Sequence, residues 1–78
     1  MVEVYVPRME STTSDDVGIL EWYVTVGDVV AEGQPLCAIE TDKVNVDLPS
    51  PEAGTVREIL VEEGADVAIG TVVLLLDE

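Results

Sequence analysis

The chain repeats itself. Shifted from residue 24 to residue 61, Val24-Thr25-Val26-Gly27 falls on Val61-Glu62-Glu63-Gly64. With the same shift Val30 falls on Val67, Ala31 on Ala68, Gly33 on Gly70, Leu36 on Val73, Ile39 on Leu76 and Glu40 on Asp77. Gly18 and Gly54 open the two copies, with a one-residue difference in spacing. Each copy reads as strand, glycine turn, short strand, glycine turn, strand. Neither half can bury its apolar face alone, but two halves together can share a core. The expected product is a flattened β-sandwich or barrel with approximate two-fold symmetry, formed by residues 1–78 as a single domain.

The apolar pattern agrees with strands. Val2, Val4 and Val6 alternate with Glu3 and Tyr5, and Val44, Val46 and Leu48 alternate with Asn45 and Asp47. Both runs have the period of two that makes one strand face apolar. Ile19–Val24, Leu36–Glu40, Val56–Val61 and Val72–Leu76 read as further strands. Between them stand turn-formers at short intervals: Gly27-Asp28, Gly33-Gln34-Pro35, Pro49-Ser50-Pro51, Gly64-Ala65-Asp66 and Gly70. Phe is absent and there is one Trp, so Val, Leu and Ile must fill the core. β-Branched side chains suit a pleated surface, and no segment carries a sustained helical stripe with caps. Residues 10–16, Glu-Ser-Thr-Thr-Ser-Asp-Asp, form a polar loop.

Composition narrows the function. Seventeen acids against three bases give a net charge of −14. That balance argues against nucleic acid, whose phosphates need Lys and Arg, and against anionic membrane surfaces. It favours solubility and, in the sharper reading, steering toward a basic partner. The longest wholly apolar run, Val72 to Leu76, is far short of the ~20 residues a spanning helix needs. No basic region precedes an apolar stretch at the N-terminus, so a reducing, cytoplasmic location is expected (mitochondrial matrix in a eukaryote). Cys37, the only cysteine, lies between Leu36 and Ala38-Ile39 and reads as a buried core residue.

Autonomous catalysis has little to work with. The chain has no His, so serine and cysteine triads and Cys/His zinc sites are excluded. The acid pairs Asp15-Asp16 and Glu62-Glu63 read as solvated loop residues, and no glycine-rich phosphate loop precedes a helix. No catalytic residue and no metal site is expected.

One residue stands apart. Lys43 is the only lysine; the other bases are Arg8 and Arg57. It lies where the two copies meet, in Ile39-Glu40-Thr41-Asp42-Lys43-Val44-Asn45-Val46, with strand patterns on both sides. The simplest reading is a hairpin whose tip is Asp42-Lys43. Asp-Lys is not the Asn-Gly or Asp-Gly of a type I′ turn, so a type I turn or a slightly longer loop is expected, with the lysine in solvent. A single amine on a four-carbon stem can be acylated and then serve as a swinging arm. A solvated turn lysine would occupy the same place, and position alone does not separate the two.

Glu40-Thr41-Asp42-Lys43-Val44, set in this double repeat, resembles the lipoyl domains of the acyltransferase (E2) subunits of 2-oxo acid dehydrogenase complexes. Val6-Pro7-Arg8-Met9, Gly18-Ile19-Leu20-Glu21-Trp22, Val26-Gly27-Asp28-Val29-Val30, Gly33-Gln34-Pro35-Leu36 and Pro49-Ser50-Pro51-Glu52-Ala53-Gly54 extend the likeness over nearly the whole chain. The resemblance implies an all-β barrel-sandwich hybrid of two four-stranded sheets, with lipoic acid held as an amide on Lys43. Asp42, Val44, Glu40 and Thr41 would surround the attachment point. Glu40, Gly27 and Gly54 would help a lipoate-attaching enzyme recognise the hairpin. Glu10, Ser11, Thr12, Thr13 and Ser14 would form the loop read by the decarboxylase (E1), although this loop has less glycine and more acid than the family usually shows.

As the resemblance implies, the domain would be a non-catalytic carrier, monomeric when isolated. It would take acyl groups from E1 to the E2 catalytic domain, to be reoxidised by dihydrolipoyl dehydrogenase (E3). Thr41-Asp42-Lys43-Val44-Asn45-Val46 resembles 2-oxoglutarate-type carriers somewhat, and the carriers of branched-chain, pyruvate and acetoin complexes use near-identical hairpins. Two rivals share the fold. A biotin carrier domain would flank its lysine with methionines, where this chain has Asp42 and Val44. An unmodified structural module of the efflux-adaptor kind usually carries a helical insert between its halves, and none is present.

Overall fold

The alternation in the first segment decides which way it faces: Val4 is buried while Glu3 and Tyr5 point to solvent. In the computed structural model, which describes residues 1–8 and 14–78, eight strands form. They are β1 (Val2–Tyr5), β2 (Asp16–Trp22), β3 (Val29–Val30), β4 (Pro35–Glu40), β5 (Asn45–Pro49), β6 (Gly54–Ile59), β7 (Asp66–Ala68) and β8 (Val72–Asp77). They make two four-stranded antiparallel sheets, ordered β1-β8-β6-β3 and β5-β4-β2-β7. Among the described residues there is no helix. The inner faces of the sheets meet in one core, whose largest fully buried side chains are Ile19, Leu36, Ile39, Leu74 and Leu76.

The two-fold symmetry expected from the repeat is kept at the level of single hydrogen bonds. The Gly27 amide donates to Val56 O at 2.8 Å, and the Gly64 amide to Ile19 O at 2.7 Å. Val56 N–H donates to Asp28 O, and Ile19 N–H to Ala65 O. Tyr23 N–H donates to Leu36 O, and Leu60 N–H to Val73 O. The positive-φ residues, Gly27, Gly33, Gly64 and Gly70, fall into two pairs related by the same shift. These four turns need the left-handed conformation that glycine adopts without a Cβ penalty.

Three expectations are corrected. The apolar pattern predicts single strands over Ile19–Val24 and Val56–Val61, but β2 runs Asp16–Trp22 and β6 ends at Ile59. Each carries a bulge, at Ile19/Glu21 in β2 and at Val56/Glu58 in β6. A bulge inserts one residue and reverses the facing of every side chain beyond it. Leu20 is therefore left exposed, while Trp22 and Val24 turn inward. The segment predicted to start at Val44 starts at Asn45, because Val44 belongs to the turn. Finally, Gly18 and Gly54 are not equivalent. Gly18 pairs with Glu40 just as Thr55 pairs with Asp77, so the shift stays constant and Gly54 matches Val17.

Candidate functional site

Strands β4 and β5 run together from Pro35↔Pro49 to Glu40↔Asn45 and end in the turn Thr41-Asp42-Lys43-Val44. The turn is closed between its first and last residues. Thr41 N–H donates to Val44 O at 3.1 Å. The Thr41 hydroxyl also donates to Val44 O, at 2.5 Å, and accepts the Val44 amide at 3.3 Å. No described residue other than glycine has a positive φ, which excludes I′, II and II′ turns at Asp42-Lys43. Thr41 is only 9% exposed, while Asp42, Lys43 and Val44 all lie in solvent.

Asp42 ties this tip to the start of β2. Its carboxylate accepts the Ser14 amide at 2.7 Å and the Ser14 hydroxyl at 3.1 Å. Ser14 belongs to the predicted partner-reading loop; Glu10, Ser11, Thr12 and Thr13 of that loop lie outside the described residues. Arg8 pairs with Asp15 at 2.6 Å beside this segment. Among the described residues Lys43 takes part in no ion pair, whereas Arg8 and Arg57 each have one. The Lys43 amine is therefore exposed, with no described partner that a modification would have to displace.

Glu40, the acid three residues before Lys43, is exposed at the end of β4 opposite Gly18. Asp66 approaches the same glycine from the other side: a Cβ on Gly18 would lie 3.4 Å from Asp66 Oδ1 and 3.7 Å from Glu40 Oε1. Asp66 thus belongs to the surroundings of the hairpin, a role nothing in its local sequence announces.

Gly27 and Gly54, predicted to serve recognition, sit elsewhere. β6 begins at Gly54, beside Asp77 at the end of β8. The turn after β6 then reaches Ile19, next to the Gly18–Glu40 pair from which the hairpin projects. Gly54 and Lys43 are therefore at opposite ends of the sandwich. Gly27 bonds to Val56 at the Gly54 end. The Met1 amine lies at that end too, 3.9 Å from Glu78. Local packing accounts for both glycines: Gly27 has φ +98°, and a Cβ on Gly54 would lie 2.5 Å from Asp77 O.

Cys37 is fully buried, and burial pushes its thiol up to about 12. Protonated and inaccessible at neutral pH, it is a packing residue. Among the described residues no three His, Cys, Asp or Glu side chains are grouped to hold a metal ion.

Comparison with known proteins agrees with this architecture. The model of the biotin/lipoyl family, described as biotin-requiring enzymes, matches residues 2–76. The dihydrolipoyllysine-residue succinyltransferase component of the 2-oxoglutarate dehydrogenase complex of Staphylococcus saprophyticus is 40% identical over 78 residues, 100% of this chain and 18% of that protein. The dihydrolipoyllysine-residue acetyltransferase component of the pyruvate dehydrogenase complex of Haemophilus influenzae is 44% identical over 64 residues, 82% of this chain and 11% of that protein. The chain thus spans less than a fifth of the length of these curated relatives. Among solved structures, the lipoyl domain of the 2-oxoglutarate dehydrogenase complex from Azotobacter vinelandii superposes with a TM-score of 0.74 at 25% identity, covering 96% of each chain.

Proposed function

The chain belongs to the biotinyl/lipoyl-attachment family, and from that we propose that it is a lipoyl carrier domain of a 2-oxo acid dehydrogenase complex, with Lys43 as the attachment residue. The observation that carries the reading is the exposed amine of Lys43, the only lysine, at the tip of the hairpin joining the two half-repeats.

The residues present fit the group. An amide at Lys43 Nζ needs an accessible primary amine and no buried pocket, and the hairpin supplies that. Modification removes the positive charge of the only lysine in the chain. The lipoyl dithiolane, when bound, supplies the redox and acyl-transfer chemistry; the protein supplies position and recognition. Lys43 lies in the turn beyond the β4–β5 ladder, and the exposed acids Glu40 and Asp42 lie within three residues of it. Tethering in a larger assembly raises the local concentration of the carried group at each active site. The relatives support E1, E2 and E3 as partners. Components of both pyruvate and 2-oxoglutarate dehydrogenase complexes are among these relatives.

The test is the intact mass of the purified chain after incubation with a lipoyl-attaching ligase, lipoic acid and ATP, with Lys43→Arg as control. One lipoyl increment, absent from the control, is expected. An unchanged mass, with the ligase active on another acceptor, would overturn the reading and favour biotin or no modification.

A further inference from the structure

Lys43 has a long flexible stem, so an enzyme that modifies it can rely only on where the turn holds its Cα. Neither Asp42 nor Lys43 has a strand partner, and the turn contains no glycine and no positive φ to select one conformation. Asp42 anchors one side of the turn to Ser14, and the turn itself is closed between Thr41 and Val44, where two of the three bonds use the Thr41 hydroxyl. The hydroxyl takes the place that a backbone carbonyl has in a hydrogen-bonded β-turn.

We infer that Thr41 is a positioning residue for modification of Lys43, its hydroxyl holding the turn in the form the attaching enzyme accepts; this rests on the reading of Lys43 as the acceptor. One observation separates this role from a direct contact with the enzyme. Thr41 is the one buried residue of the tip, so it acts through its neighbours and offers little surface of its own.

Thr41→Val keeps the shape and removes the hydroxyl; Thr41→Ser keeps the hydroxyl and removes the methyl. Attachment is followed by intact mass with the ligase, lipoic acid and ATP, over a range of domain concentrations. Thr41→Val is expected to lower kcat/KM roughly tenfold, mainly in kcat, since a misplaced amine reacts slowly once bound. Thr41→Ser is expected to stay within about twofold of the parent, because the hydrogen bonds that set the turn are kept. Amide exchange at Val44 should accelerate in Thr41→Val and not in Thr41→Ser. If Thr41→Val fails to fold by circular dichroism, Thr41→Ala at a temperature where it is folded serves the same comparison. A hydroxyl-free variant modified at the parental rate would overturn the inference while leaving Lys43 the acceptor. A parent chain that takes up no lipoyl group would instead remove the reading on which it rests.

Discussion

The carboxylate of Asp42 grips Ser14 with both oxygens, one on its amide and one on its hydroxyl, across 28 residues of sequence. This contact couples the hairpin tip to the segment entering β2. Both residues are exposed, so water competes and the contribution lies at the low end for a hydrogen bond to a charged group. A double-mutant cycle with Ser14→Ala and Asp42→Ala, followed by urea unfolding, should show a coupling of about 0.5–1 kcal/mol. Additive losses would mean that the two residues touch without cooperating.

Lys43 itself should be dispensable to the fold. It is exposed and forms no ion pair among the described residues. Lys43→Ala should change stability by less than about 0.5 kcal/mol in thermal unfolding, as surface substitutions usually do. A collapsed or strongly destabilised variant would show that the lysine has a structural task.

The β-class, the two-fold and the junction lysine are legible in the sequence because each leaves a local trace: alternation, paired glycines, a unique residue type. The bulges at Leu20 and Arg57 are not. One inserted residue has no compositional mark, and only the inward turn of Trp22 and Val24 after it reveals the parity change. The Ser14–Asp42 bond and the approach of Asp66 to Gly18 join residues far apart in sequence, so they arise from topology rather than pattern. The Thr41 closure does have a local trace. Threonine three residues before the end of a tight turn can bond its own backbone neighbours.

Gly18 and Gly54 look alike in sequence and should behave differently. A Cβ on Gly54 would stand 2.5 Å from the carbonyl oxygen of Asp77, which is backbone and cannot step aside. On Gly18 the nearest atom is the Asp66 carboxylate, at 3.4 Å and on a mobile side chain. Neither glycine has a positive φ. Gly54→Ala should therefore cost about 1–3 kcal/mol through overpacking. Gly18→Ala should be neutral or stabilise by up to about 1 kcal/mol, through the loss of unfolded-state entropy. Urea midpoints for the two variants check this; equal effects would show that the register placing Gly54 against Asp77 is wrong.

Cys37 should make the domain weaker in alkali. Burial raises the thiol to about 12 from an ordinary value of 9.0, with Asp47 adding a repulsive push in the same direction. Below pH 9 both folded and unfolded chains hold this proton, and its contribution is fully present. Between about 9 and 12 the unfolded chain has lost the proton while the folded chain keeps it. Deprotonation then favours unfolding, and stability falls as pH rises across that window. Tyr23, held by a hydrogen bond to Asp47 that raises its phenol, contributes with the same sign, so the wild-type slope alone does not isolate the thiol. The comparison that does is urea unfolding from pH 8 to 11 for the parent and Cys37→Ala. The variant will be less stable throughout, because it leaves a cavity, but that offset does not depend on pH. Its stability should decline less steeply above pH 9 than the parent's. At pH 8 the parent thiol should resist a disulfide reagent until the chain is unfolded. Parallel slopes, or rapid labelling of the native chain, would mean that Cys37 is not sealed between the sheets.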